Sequence, residues 1–154
     1  MKSILTLLLI LTIGFSTDAQ NQNRKKSMLK TGRPILIIND TVIASAEMLN
    51  KISSNKISEL NIFKDQKLGT TNLFIERGKN TGIIKITVNQ EIEIKTQREL
   101  NDFFGLAENN DIYVNGYLIE NKNQNISSES IVEIELIKAD DFRLKKPVLN
   151  IEIE

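Results

Sequence analysis

Residues 34–44, P-I-L-I-I-N-D-T-V-I-A, predict the β-hairpin from which the rest of the chain can be interpreted. The uninterrupted apolar run at 35–38 is typical of a buried strand. Asn39 and Asp40 follow this run, and both residue types tolerate the positive φ that a tight turn requires. Residues 41–44 then predict a short return strand.

The segment after this hairpin predicts a short helix and a third strand. Ser45 can cap the helix at its first turn. Residues 59–64 alternate, with Leu60 and Ile62 on one face, which is typical of a strand. The apolar residues that would form the buried side of the helix are Met48, Leu49 and Ile52.

A second helix is expected at residues 70–77. Leu73 and Phe74 would be buried, and Gly78 could end the helix in the left-handed conformation. The strands expected after this helix are 83–88 and 91–95.

Thr96 begins the clearest local signal in the sequence. In T-Q-R-E at 96–99, the Thr96 hydroxyl and the Glu99 side chain can each satisfy an orphan backbone N–H, so the stretch predicts a capping box. One apolar helix face follows, and we expect Phe103 and Phe104 to lie in the core. The members of that face are Leu100, Phe103, Phe104 and Ala107.

The remaining residues predict four strands and one loop. Asn115 and Gly116 form a strong two-residue turn signal, so the strands on either side of them should make a hairpin. Tyr113 and Tyr117 flank this turn and could either form an exposed aromatic contact or, as we expect, pack across the two strands. Residues 120–130 are polar and predict a loop. The four expected strands are 111–114, 117–119, 131–138 and 148–154.

The two halves of the chain resemble each other in sequence and in the order of their predicted elements. Residues 52–64 align with 126–138, and six of the aligned positions are identical. The alternative is a chance similarity between strands rich in Ile, Glu and Lys. The order of elements favours duplication, and we therefore predict an α+β fold. Two related units of hairpin, helix and strand, residues 34–95 and 96–154, would pack as one small domain.

The composition excludes several kinds of site. The chain has 154 residues with 20 basic and 20 acidic side chains, and it contains no His, Cys or Trp. A disulfide framework, a thiolate or imidazole metal site and a triad based on His or Cys are therefore excluded. The balanced charge argues against a nucleic-acid partner.

The first 33 residues are expected to lie outside the fold. Residues 1–19 combine a positive start, a short apolar run and a small-residue exit, which is typical of a signal peptide cleaved after Ala19. The alternative is a retained anchor, although the apolar run is short for a membrane span. Residues 20–33 are polar and predict a disordered linker. We thus expect an exported protein with no membrane span in its mature form and a folded domain at 34–154.

The first half resembles the plug domain of TonB-dependent outer-membrane receptors of the Bacteroidetes type. Residues 34–40 are similar to the family's P-L-Y-V-V-D-G strand and turn. The resemblance implies a plug-like fold, a location in the periplasm or at the outer membrane of a Gram-negative envelope, and an envelope protein or outer-membrane receptor component as partner. The other segments that match family motifs are 49–52, 57–65, 70–78 and 82–87.

Candidate chemistry in the sequence is sparse. Asp140 and Asp141 form an acidic pair, and Glu108 and Asp111 lie near a turn. Carboxylate pairs can serve glycosidases or metal sites. Neighbouring residues on a strand point to opposite faces, so the two carboxylates would converge only if they lie in a loop. Because Asp is rarely buried, we interpret the pair as solvated loop charges. We predict no catalytic, cofactor-binding or metal-ligating residue.

Two functions from different classes follow. The first is an exported, non-catalytic interaction module that binds a protein partner through an exposed sheet edge or loop. The alternative is a small periplasmic hydrolase or ligand-binding protein that uses carboxylates. A pocket lined by two converging acids with raised pKa values would favour the alternative.

Overall fold

The computed structural model of the protein describes residues 34–64, 66–73, 82–140 and 142–154. Within these ranges the fold is mixed α and β, with ten strands in two open sheets and one α-helix, α1, at Gln97–Phe103. The predicted signal peptide and linker lie outside the described residues. The strands are β1 Ile35–Ile38, β2 Val42–Ser45, β3 Ile57–Phe63, β4 Ile83–Val88, β5 Ile94–Lys95, β6 Ile112–Val114, β7 Tyr117–Leu118, β8 Asn125–Ser127, β9 Ile131–Ile137 and β10 Val148–Ile153.

The first sheet has six strands in the order β3-β4-β1-β2-β8-β5. The predicted hairpin forms its centre, where β1 pairs antiparallel with β2 and parallel with β4. All four residues of β1 are buried, as the continuous apolar run predicts for a strand covered on both faces. β3 pairs antiparallel with β4 and forms one edge of the sheet.

The second sheet has four strands in the order β7-β6-β10-β9. β6 pairs antiparallel with β7 and parallel with β10, and β10 pairs antiparallel with β9. The corresponding pairs of the first sheet have the same directions: β1 is antiparallel to β2 and parallel to β4, and β4 is antiparallel to β3. The four strands β3-β4-β1-β2 and the four strands β9-β10-β6-β7 therefore have the same order and the same directions.

The two four-strand units also share local details. The register of β3 against β4 shifts at Ser58, and the register of β9 against β10 shifts at Val132, so the second residue of each outer strand forms a bulge. A one-turn 3-10 helix precedes each outer strand, at Ser54–Lys56 and at Ser128–Ser130. A bulge adds one unpaired residue and increases the local twist, so both outer strands are bent at the same point.

Each half of the chain contributes a segment to the sheet of the other half. β8 of the second half pairs parallel with β2, the outer strand of the first hairpin. In return, Leu73 of the first half donates its N–H to the Gly116 carbonyl at 2.8 Å, and Leu118 donates to the Thr71 carbonyl at 3.0 Å, alongside β7. The second strands of the two hairpins, β2 and β7, are thus each covered by a segment from the opposite half of the chain.

The principal core lies between residues of both sheets and α1. Its ten buried residues come from both halves, and Ile35 and Ile43 of the first sheet belong to it together with Val114 and Ile151 of the second. A second cluster covers the other face of the first sheet, where Met48 packs against β1 and β4. Neither half therefore contains the whole principal core.

Several predicted elements differ from those observed. The segment after β2 forms a 3-10 helix at Ala46–Asn50 rather than an α-helix, although Met48 and Ile52 are buried as predicted. Ser45 precedes it without a side-chain capping hydrogen bond. Only Ile94–Lys95 of the predicted strand 91–95 is strand.

The prediction of a loop at 120–130 was wrong for residues 125–130. These residues form β8 and a 3-10 helix at Ser128–Ser130. A three-residue polar strand carries no alternation of its own, and pairing with β2 makes it a strand. Leu73 is buried as expected. The helix predicted at 70–77 is wrong for residues 70–73, which are not helical because Asn72 forms an antiparallel bridge with Tyr117 of β7. Residues 74–77 and Gly78 lie outside the described residues.

Candidate docking edge

The acidic pair predicted at 140–141 does not form a described site. Asp141 lies outside the described residues. The Asp140 carboxylate accepts backbone N–H bonds from Phe142, Arg143 and Leu144, the last at 2.9 Å. The N–H donors of Arg143 and Leu144 hold the pKa of Asp140 below its ordinary value. Asp140 therefore organises the turn that precedes β10.

Glu108 and Asp111 each pair with a base instead of converging on a ligand. Glu108 accepts from the Arg98 guanidinium, and the Asp111 carboxylate lies 3.0 Å from the Lys122 amine. Both pairs are exposed, and Arg98, Glu108 and Lys122 border an open groove beside α1. Across the described ranges, no three acidic, histidine or cysteine side chains are placed to hold a metal ion.

The aromatic predictions had mixed outcomes. Tyr113 and Tyr117 are both buried, so they form no exposed aromatic contact. The expected packing between them is wrong, because Tyr113 lies opposite Leu118 and Tyr117 lies opposite Val114, which places the two rings on opposite faces of the hairpin. Burial raises the pKa of the Tyr113 hydroxyl. The core prediction for Phe103 is wrong, because its side chain is 83% exposed at the last residue of α1 while Phe104 reaches the core. The helix ends there, so Phe103 lies on its solvent side with its ring edge against Phe104.

The candidate docking site is the edge strand β3, which carries exposed apolar side chains. β4 pairs with one edge of β3, and no strand among the described residues pairs with the other edge. Leu60 is 47% exposed and Ile62 is 62% exposed on one face, and Phe63 is 41% exposed on the other. An edge strand of this kind offers unpaired backbone N–H and C=O groups beside apolar side chains, which is the arrangement that accepts an added strand.

The opposite face of β3 carries charge beside an aromatic ring. The Lys85 amine of β4 lies 5.9 Å from the centroid of the Phe63 ring, and it also lies 3.4 Å from the Asp40 carboxylate. Glu59 lies on the same face and accepts a hydrogen bond of 2.8 Å from the Asn61 side chain. The register places Asn61 opposite Lys85, so these groups form one continuous strip.

β9 occupies the corresponding edge of the second sheet but has different side chains. Its sequence alternates apolar residues with Glu133 and Glu135, both of which are exposed. Charged side chains on an edge strand disfavour pairing with another strand. β3 carries Glu59 at the position of Glu133 but the uncharged Asn61 at the position of Glu135. Residues 60–63 of β3 therefore lack the charge that disfavours pairing of the corresponding part of β9 with another strand.

The alternation at 59–64 predicts that Leu60 and Ile62 share a face, but it does not predict that this face is exposed. The signal was present in the comparison of 57–63 with 131–137, where Glu59 aligns with Glu133 but the uncharged Asn61 aligns with Glu135. Burial of a strand face depends on what packs on it, which alternation alone does not specify.

Comparison with protein-family models, with curated proteins and with solved structures finds no match. No helix in the described ranges has the length and apolar character that a bilayer crossing requires.

Proposed function

We propose that this protein is a non-catalytic interaction module, exported to the Gram-negative cell envelope, whose docking element is the free edge of β3. The observation that carries the proposal is the uncharged run 60–63 on an exposed edge strand. A partner polypeptide would add an extended segment beside β3. Backbone hydrogen bonds would supply affinity, and side chains facing Leu60 and Ile62 would supply selectivity.

The proposal includes a duplicated fold in which each unit is plug-like. The shared strand order, the equivalent bulges and the matching hairpin turns support a common origin of the halves 34–95 and 96–154. The TonB-receptor plug resemblance covers the first unit and supports an envelope location. It also supports an envelope protein or an outer-membrane receptor component as partner.

No specific observation favours the hydrolase alternative. The chain contains no His or Cys, and the carboxylates that were candidates for catalysis already have partners. Glu108 and Asp111 are each paired with a base, and Asp140 is used in a turn.

The test uses a displayed library of ten-residue peptides and amide hydrogen exchange. We expect bound peptides to carry apolar residues at alternate positions and to slow exchange at residues 57–63. Ile62→Lys should weaken binding at least about tenfold, because the ammonium group would have to lose water against an apolar strand.

Leu136→Lys is the matched control, because Leu136 occupies on β9 the position that Ile62 occupies on β3 and is 42% exposed. This variant should bind the selected peptides as well as the unmodified chain does. Selection of no peptide, or protection that falls outside β3, would contradict the proposed function.

A further inference from the structure

We propose that β3 pairs antiparallel with β3 of a second copy of this chain, about a two-fold axis that passes beside Asn61. The inference rests on the proposed function, since it names the strand that the docking edge accepts. It is drawn from the distribution of side chains on the two faces of β3.

A two-fold axis perpendicular to a sheet keeps each face of the strand on the same side in both copies. With the axis at Asn61, Leu60 lies opposite Ile62 of the second copy, and Ile62 lies opposite its Leu60. All four exposed apolar side chains on this face then meet at directly opposed or diagonal positions, where cross-strand contacts form. They extend the apolar surface of β4, where Ile84 and Ile86 pair with Ile62 and Leu60.

The same register matches charges on the other face. Asn61 lies opposite its own counterpart, and Glu59 lies opposite Phe63 of the second copy. Lys85 lies over the Phe63 ring within its own chain, at 5.9 Å from the centroid. Each Glu59 carboxylate is therefore brought beside a Lys85 amine of the other copy, twice by symmetry.

Neighbouring registers lose this match. An axis at Leu60 places Ile62 opposite the polar residue Ser58, and an axis at Ile62 places Leu60 opposite the charged residue Lys64. Of these three registers, only the axis at Asn61 places every Leu60 and Ile62 side chain directly opposite an apolar side chain of the other copy. Because one strand pair covers less area than the ~1,200–2,000 Å² of a stable interface, we expect a reversible dimer whose population rises with concentration.

Cysteine cross-linking tests the register directly. The chain has no Cys, so Asn61→Cys introduces a single thiol. Directly opposed residues of an antiparallel pair have Cα atoms about 4.5–5.5 Å apart, which falls within the range a disulfide spans. We expect Asn61→Cys to form a covalent dimer under mild oxidation.

Glu135→Cys is the matched control, because Glu135 occupies on β9 the position of Asn61 on β3. It should remain monomeric under the same oxidation. Leu60→Cys tests the register within β3, and it should cross-link more slowly because its counterpart lies opposite Ile62.

Sedimentation velocity of the full mature chain over a concentration series measures the dimer without a thiol. Ile62→Lys and, as a second variant, Leu60→Lys should each raise the dissociation constant at least about tenfold, while Leu136→Lys should leave it unchanged. Circular dichroism checks that each variant is folded.

A monomer at every concentration, or cross-linking of Glu135→Cys as fast as Asn61→Cys, would overturn the dimer. If the chain is monomeric and library peptides still protect residues 57–63, the dimer is wrong and the docking function stands. If peptides also fail to bind, both proposals are wrong.

Discussion

Asn39 and Asn115 perform the same two tasks in the turns of the two hairpins. Both have positive φ, at 50° and 48°, where L-residues other than Asn and Asp are disfavoured. The Asn39 side-chain oxygen accepts from the Val88 N–H at 2.8 Å, and that of Asn115 accepts from the Ile153 N–H at 3.0 Å. Each asparagine thus ties its hairpin to the end of the parallel strand beside it.

We expect Asn39→Ala to lower the free energy of unfolding by about 2 kcal/mol, because alanine loses the side-chain bond to Val88 and also disfavours the left-handed backbone. Asn39→Gly keeps the backbone freedom and loses only the side-chain bonds, so its loss should be smaller. Urea unfolding of the three chains measures the difference. Equal stability of Asn39→Ala and the unmodified chain would contradict this role.

The turn at Asp140 predicts a pH dependence of stability. The folded state lowers the pKa of Asp140, because backbone N–H groups of Arg143 and Leu144 donate to the carboxylate. A group with a lowered pKa stabilises the fold above its unfolded-state pKa, and this contribution is lost as pH falls through the folded-state pKa. Asp140→Asn should therefore be less stable than the unmodified chain at neutral pH, and the gap should close in acid. Urea titrations at several pH values test this, and a gap independent of pH would contradict it.

At the scale of elements, α1 is the one whose start the sequence specifies most directly. The Glu99 N–H donates to the Thr96 hydroxyl at 3.1 Å, and the Thr96 N–H donates to the Glu99 carboxylate at 2.8 Å, as the capping box predicts. The hydrogen bonds from Thr96 lower the pKa of Glu99.

Thr96→Ala should lower the free energy of unfolding by about 1 kcal/mol, since it removes the acceptor for the Glu99 N–H. Thr96→Ser, which keeps the hydroxyl, is the control and should be close to the unmodified chain. Chemical unfolding measures both variants. A full loss with Thr96→Ser would show that the hydroxyl is not the cause.

The elements that could be predicted from the sequence are those that a specific local pattern of residues defines. The capping box, the two asparagine turns and the continuous apolar run of β1 each depend on residues close in sequence. β8 and the exposed face of β3 could not be predicted in this way. β8 is a strand because β2 lies beside it. Leu60 and Ile62 are exposed because Met48 and Ile52, which cover this face of the first sheet, pack on β1, β2 and β4 and not on this part of β3. Such features depend on contacts between distant residues.

At the scale of the whole molecule, the exchange of segments links the two halves into one folding unit. Ile43 of β2 pairs with Ile126 of β8, and both side chains are fully buried in the shared core. Ser45 also donates its N–H to the Ser130 hydroxyl at 3.0 Å across 85 positions of sequence. Separating the halves would expose β2 and part of the core together.

We therefore expect the fragments 34–95 and 96–154 to be unfolded when each is alone in solution. Each lacks the segment that covers its hairpin, and a unit of roughly 60 residues buries little apolar surface by itself. Mixed in equal amounts, the fragments should regain the circular dichroism spectrum and the dispersed amide signals of the full chain, because the exchanged segments can still pair between chains.

Ile126→Asp in the second fragment is the control for this experiment, because it would place an unpaired carboxylate in the shared core. Mixtures that contain this variant should stay unfolded. Cooperative thermal unfolding of 34–95 in isolation would contradict the interdependence of the halves. The two four-strand units would then be separate domains, and the pairing of β8 with β2 would be a contact made after folding.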